Sequence, residues 1–286
     1  MPDDTAEPAA PAAPPIEELV QHRIDGGVSW ITLNRPEVRN AITSDQRERV
    51  ISLLEQASRD HAVRAVVLTA TGEGFCTGAD LRGSARAPAP LRPEGAPDRI
   101  VGDASRMIRL GAQRLIGAVL DCEKPVIAAV NGTAAGIGAH LAFACDLVIA
   151  ADTAKFIEVF VRRGIAPDGG GAYLLARLVG PQKAKELIFF GDDLPAADAC
   201  SMGLVNRVVP RADLESAAGE WAARLASGPT KALGLAKWMI NRSLESDRRT
   251  AFDEEAWAQE LTVGTADAGE GMRSFAERRK PEFKGF

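Results

Sequence analysis

The chain has 286 residues, 46% of them hydrophobic and 26% charged, with a formal net charge of −5. Its length is near the upper end for one continuous core, and its composition lies in the ordinary globular range. The acidic balance excludes a general affinity for nucleic acid or an anionic membrane, because both require a cationic surface. Four cysteines (Cys76, Cys122, Cys145 and Cys200) and three histidines (His22, His61 and His140) form no C-x-x-C pair and no metal-ligand spacing. Reduced thiols in a cytoplasmic protein are the expectation. No apolar run approaches the ~18 residues of a membrane span.

Residues 1–15, MPDDTAEPAAPAAPP, are acidic and rich in Pro and Ala. They predict a disordered tail and lack the basic-then-apolar order of a signal peptide. From Gly27 to Leu33 a β-branched, alternating pattern bounded by turn residues predicts a strand. Thr43 or Ser44 then reads as an N-cap, and Ile51, Leu53, Leu54 and Ala57 give an apolar helical face up to Arg59. Ala65–Ala70 is a continuous apolar run, the pattern of a strand buried on both faces. Residues 83–98 predict a surface loop, and a helix is expected over 102–122. A short buried strand (Val126–Val130), a helix (136–145) and another strand (Leu147–Ala151) come next. A glycine-rich break, Pro167-Asp168-Gly169-Gly170-Gly171, leads into a helix through Leu174, Leu175 and Leu178. Further helices are predicted near 181–190, 195–201, 212–226, 229–243 and 250–263. Alternating strands and helices before residue 165, then helices alone, indicate an α/β core with a helical C-terminal region. No internal repeat is visible in the sequence.

Five segments, in order, carry a resemblance. They are Leu33–Glu37 with Asn40-Ala41, Gly74–Leu81, Ala128–Gly138 running on through Ala144–Leu147, Gly164–Gly170, and Ala196–Asp198 through Gly203–Val205. Together they identify the chain as similar to the crotonase superfamily, the enoyl-CoA hydratase/isomerase family, from about residue 20 to 286. The resemblance implies a core of repeated ββα units and a helical C-terminal trimerisation region, often as a dimer of trimers. It divides the chain into a tail (1–15), a core with an acyl-CoA site (16–195) and a helical oligomerisation region (196–286). It also implies an acyl-CoA thioester as ligand and no cofactor beyond the CoA of the substrate.

By the same resemblance, the backbone N–H groups of Ala79 and Ile137 form an oxyanion hole for a thioester enolate. The glycines at 78, 136 and 138 allow such close backbone approach. Family hydratases use two glutamates, and the corresponding positions here are His140 and Phe160. Asp168 matches an aspartate of family branches that include dienoyl-CoA isomerases, ring-epoxide isomerases and aryl-CoA dehalogenases. Asp168 and His140 are therefore the candidate catalytic pair, although Asp168 also reads as an N-cap for the helix at Gly171 and His140 as a core histidine. Glu158 stands two residues before Phe160 and would need a local shift in register to replace the missing carboxylate. Asp80, Leu81, Gly136 and Phe160 are candidate substrate contacts. Arg39, Arg82 and Arg35 are candidates for the CoA phosphates, and Phe283 and Lys284 for a neighbouring subunit's CoA pocket. Cys76 lies close to the oxyanion loop and is a candidate for alkylation.

These residues fit best the isomerisation of an unsaturated acyl-CoA, for which one carboxylate suffices. Hydration by a His140/Asp168 pair, a nucleophilic Asp168 in a dehalogenase or thioesterase, and a non-catalytic acyl-CoA-binding protein remain open alternatives.

Overall fold

A computed structural model of the chain describes residues 14–80, 93–98 and 100–286. Most of the expected tail, most of the expected 83–98 loop, and Leu81 and Arg82 lie outside the described residues. The first elements are α1 (Ile16–Leu19), β1 (Val20–Asp25), β2 (Val28–Leu33) and α2 (Ser44–Arg59). Next come β3 (Ala65–Ala70), β4 (Gly74–Cys76), α3 (Asp103–Leu110) and α4 (Ala112–Leu120). They are followed by β5 (Val126–Val130), β6 (Thr133–Ala135), α5 (Ile137–Phe143), β7 (Leu147–Ala151) and β8 (Lys155–Ile157). The helices α6 (Gly171–Leu178) and α7 (Gly180–Phe190), strand β9 (Asp193–Pro195), helix α8 (Ala196–Ser201) and strand β10 (Arg207–Val209) follow. Four helices close the chain: α9 (Leu214–Ala226), α10 (Thr230–Ser243), α11 (Arg248–Val263) and α12 (Ala266–Ala276).

Two sheets organise these elements. The larger has the order β1-β2-β3-β5-β7-β10, the smaller β4-β6-β8-β9. Strands pair in parallel except β1 with β2 and β8 with β9. Three consecutive strand pairs, β3/β4, β5/β6 and β7/β8, each place one strand in the large sheet and the next in the small one, with helix following. This is the repeated ββα core, and it shows no sequence repeat because only the apolar pattern recurs. All of β5 and the first four residues of β3 are buried, as parallel strands covered on both faces must be. Helix α9 lies against β2, β3, β5 and β7.

The N-terminus of α2 resolves to Thr43, whose hydroxyl accepts from the Gln46 N–H while the Gln46 side chain accepts from the Thr43 N–H. Several elements differ from the sequence expectation. Strands β9 and β10 lie beyond residue 165, where helices alone were expected, because three residues are too few to show an alternating or continuous apolar pattern. Strand β1 pairs residue by residue with β2, yet its burial pattern shows one buried residue followed by five exposed ones. An edge strand with polar side chains carries no apolar signal. The expected helix over 102–122 is two helices, broken at Gly111, where φ is −111° and ψ is −97°. Helix α12 escapes the periodicity because Gly269 and Gly271 lower its propensity. It is anchored instead by Thr265, which caps Ala268, and by the buried Asp267 carboxylate. That carboxylate accepts the N–H groups of Lys284 (2.6 Å) and Gly285 (2.8 Å). No described helix is long and apolar enough to cross a membrane.

Asn40 ties together the segment that precedes the site. It sits at φ 56° and is buried. Its Oδ1 accepts from the Arg35 N–H at 2.7 Å, and its Nδ2 donates to the carbonyls of Thr71 (2.8 Å) and Gly74 (2.7 Å). Asn40→Ala removes all three bonds and leaves buried polar groups unpaired, so urea unfolding should show a loss of about 3 kcal/mol.

Candidate active site

Two backbone positions sit at the ends of neighbouring parallel strands. β4 ends at Cys76 and β6 at Ala135, and the two strands are paired. Three residues past Cys76, Ala79 forms a parallel bridge with Ile42, in which Ile42 donates to the Gly78 carbonyl and accepts from the Asp80 N–H. That pattern uses both polar groups of Ile42 and turns the N–H of Ala79 to the opposite side. Two residues past Ala135, Ile137 opens α5, so its N–H has no acceptor within the helix.

The two strand ends are brought together by glycine at 138. A Cβ there would overlap the Cys76 carbonyl, so only glycine lets α5 pack this closely on β4. Gly136 turns the chain into α5 at φ 54°, a left-handed conformation, while its N–H donates to the Ile157 carbonyl at 2.9 Å.

His140, one turn into α5, is fully buried. Its Nε2 lies 3.1 and 3.0 Å from the two carboxylate oxygens of Glu158, itself buried at the end of β8. No shift of register is required: β8 stays paired through Ile157, and Glu158 follows directly. The expectation that Glu158 reaches inward only by such a shift is corrected. A buried histidine needs a partner, and Glu158 meets that need. The imidazole also stacks on Phe160, with ring centroids 5.3 Å apart and planes at 13°. Phe160 in turn lies against Gly136 and is buried, so it packs the site from beneath.

The loop that carries Asp168 closes over this pair. A Cβ at Gly171 would strike the His140 ring, and one at Gly169 would strike the Ile137 side chain. Asp168 itself is half-buried, and burial pushes its carboxyl above the usual aspartate range. His140 draws it back down, while the Glu158 charge raises it further. The N-cap alternative for Asp168 is corrected. Helix α6 is capped by Gly170 with no side-chain bond, and Asp168 contributes only its carbonyl, to the Gly171 N–H at 3.2 Å.

Several other sequence candidates lie elsewhere. Asp80 is buried and its carboxylate meets Arg35 at 2.9 Å, and the same guanidinium donates to the Ala41 carbonyl at 3.0 Å. Both side chains brace the first loop. Arg39 is exposed and adopts φ 50°, and its carbonyl accepts from the Thr77 N–H and hydroxyl. Phe283 and Lys284 belong to the tail held on Asp267, and the Phe283 carbonyl accepts from Arg64 at 3.1 Å. Cys76 is buried and its thiol is pushed up to about 11 by that burial, which removes it as an alkylation site.

Residues 23–285 match the family model for enoyl-CoA hydratase/isomerase. The chain is 37% identical over 268 residues to the 1,2-epoxyphenylacetyl-CoA isomerase of Escherichia coli, covering 94% of this chain and 99% of that protein. It is 37% identical over 262 residues to the short-chain-enoyl-CoA hydratase of Clostridium acetobutylicum, covering 90% and 94%. The crystal structure of enoyl-CoA hydratase from Bacillus anthracis superposes with a TM-score of 0.84 at 33% identity, covering 94% of this chain and 100% of that one. Fold and match together define a crotonase-superfamily enzyme that acts on acyl-CoA thioesters. The chain belongs to the enoyl-CoA hydratase/isomerase family.

Because burial makes the ionised Asp168 costly, the folded state favours its acid form. The cost is present in full above the folded-state pKa, fades as pH falls through it, and is gone below the ordinary aspartate value of about 4. Asp168→Asn should therefore raise the thermal midpoint at neutral to alkaline pH. The gain over wild type should vanish in acid, as followed by calorimetry across pH.

Proposed function

We propose that the chain isomerises an unsaturated acyl-CoA, with Asp168 shuttling the proton. The carrying observation is the contrast within one cluster. Asp168 is half-buried at the loop, whereas His140 and Glu158 are sealed beneath it. Isomerisation needs one group that takes a proton from one carbon and returns it to another, and one accessible carboxyl fits that need. Hydration by His140 and Asp168 would require both to touch water and substrate, and the burial of the imidazole argues against it. The two relatives above, one an isomerase and one a hydratase, are equally identical to this chain, so the choice rests on the site.

In this reading the thioester carbonyl is held by the N–H groups of Ala79 and Ile137. Each such preorganised donor is worth roughly 2.7–4 kcal/mol where charge develops on the oxygen. Asp168 removes a proton, the electrons pass into a dienolate held by the two donors, and the proton returns to a more distal carbon. The raised carboxyl of Asp168 suits the task, since a base of higher pKa binds the proton more firmly in the intermediate. Helix α4 borders the Asp168 loop through Ala112 and Ile116, and α3 carries the exposed Met107 and Leu110. These helices supply an apolar wall for the acyl group.

The same reading makes the chain a homotrimer or dimer of trimers in the cytoplasm. Exposed Phe252, Trp257 and Leu261 on α11 and Phe275 on α12 support an apolar association surface. Phe283 and Lys284 would then serve a neighbouring subunit's CoA pocket, and Arg39 the CoA phosphates beside the first oxyanion segment.

Asp168→Asn should lower kcat for conversion of 3-hexenoyl-CoA to 2-hexenoyl-CoA by about a hundredfold or more. The dissociation constant for the acyl-CoA, measured by calorimetry, should stay within about twofold, since the donors that hold the thioester are untouched. Full turnover in that variant removes Asp168 from the role.

A further inference from the structure

The missing family glutamates leave an ionisable pair that the proposed reaction does not touch directly. Both carboxylate oxygens of Glu158 lie within hydrogen-bond reach of His140 Nε2, so a neutral ring paired with an ionised Glu158 carries its hydrogen on Nε2 and a lone pair on Nδ1. Nδ1 is buried and has no hydrogen-bond partner among the described residues. It faces the glycine that follows Asp168: a Cβ at Gly169 would stand 3.7 Å from it. A buried acceptor without a donor is costly, and its position beside the loop suggests where the donor comes from.

We propose that Glu158 is a positioning residue that fixes His140 as the Nε2–H tautomer, so that Nδ1 holds the carboxyl proton of Asp168 during the reaction. The inference rests on the isomerase reading. The substrate C–H bond breaks and its proton goes to an Asp168 oxygen, while the electron pair passes into the dienolate. The new O–H then donates to Nδ1 and keeps the proton from exchanging with water. It leaves again when the same proton is delivered to the distal carbon, and His140 and Glu158 end unchanged.

Among the described residues, the neighbours of the Asp168 loop supply no competing group. Helix α4 offers Ala112 and Ile116 there, and the start of α6 offers glycine backbone. Beneath α5, Cys76 holds its proton. Behind Glu158 stand Gly191 and Asp192, with Arg162 engaged by Asp193 at 3.0 Å. Among the described residues, the ionisable groups that bear on the Asp168 carboxyl are His140 and Glu158.

The test uses 3-hexenoyl-CoA deuterated at carbon 2 and reads where the label goes. The wild type should carry much of the deuterium to carbon 4, and Glu158→Gln should lower the ratio of transferred to exchanged label at least tenfold. In Glu158→Gln the acid limb of kcat/KM should also move to lower pH, since the charge that raises Asp168 is gone. The label ratio does not depend on how much enzyme is folded, and His140→Asn should reproduce its loss with Glu158 intact. Glu158→Asp, which keeps the acceptor, should recover part of the transfer. Unchanged label transfer in both Glu158→Gln and His140→Asn overturns this inference, while loss of activity in Asp168→Asn leaves the isomerase reading standing. Activity that survives Asp168→Asn removes the reading itself.

Discussion

The site depends on one close approach, the packing of the α5 backbone on the end of β4. Gly138 lies so near the Cys76 carbonyl that any side chain would force the helix away. That contact places the first N–H of α5 beside the segment that carries Ala79. The rest of the fold serves to keep both partners still. β4 and β6 are paired, the first loop is tied by Asn40, and Arg35 is locked onto the buried Asp80. Donors that must not reorganise during a reaction are best carried on backbone held in this way.

A second constraint follows from what the chain lacks. By the resemblance, His140 and Phe160 stand where family hydratases carry glutamates, and two carboxylates approach the candidate site by other routes. Glu158 enters at the end of β8 and is spent on His140, and Asp168 enters on a glycine loop that closes over the imidazole. The stack of Phe160 on His140 completes the seal. Burial therefore separates the three groups into a half-buried Asp168 and two groups sealed beneath it. The raised Asp168 carboxyl costs stability, which is the usual balance where a site is arranged for chemistry.

Much of this was legible in the sequence, and the limits have physical causes. β3, β5 and β7 are continuous apolar runs because parallel strands are covered on both faces, so periodicity finds them. β1 is an exposed edge whose partner is known only from pairing, and α12 is held by Asp267 and a capping threonine more than by helix propensity. The break at Gly111 reads as one tolerated glycine in a longer apolar pattern. In the candidate site, short motifs single out Ala79, Ile137 and Asp168, and the structure brings their segments together at α5. The contact of Glu158 with His140 was not legible in the sequence, because it depends on where β8 stops, three-dimensional information that spacing alone does not hold. The pairing of Arg35 with Asp80 was hidden for the opposite reason. Charged residues next to a ligand loop look like ligand contacts until their mutual pairing is seen.

In the proposed reaction two backbone donors hold the thioester while Asp168 alone reaches the reacting carbons. A crystal structure with a non-reactive acyl-CoA analogue tests it directly. The account predicts the carbonyl oxygen about 2.7–3.1 Å from both the Ala79 and Ile137 nitrogens, with an Asp168 oxygen facing the carbons next to the thioester and His140 still covered. A thioester oxygen bound elsewhere, or an imidazole nearer the acyl carbons than the Asp168 carboxyl, would contradict it.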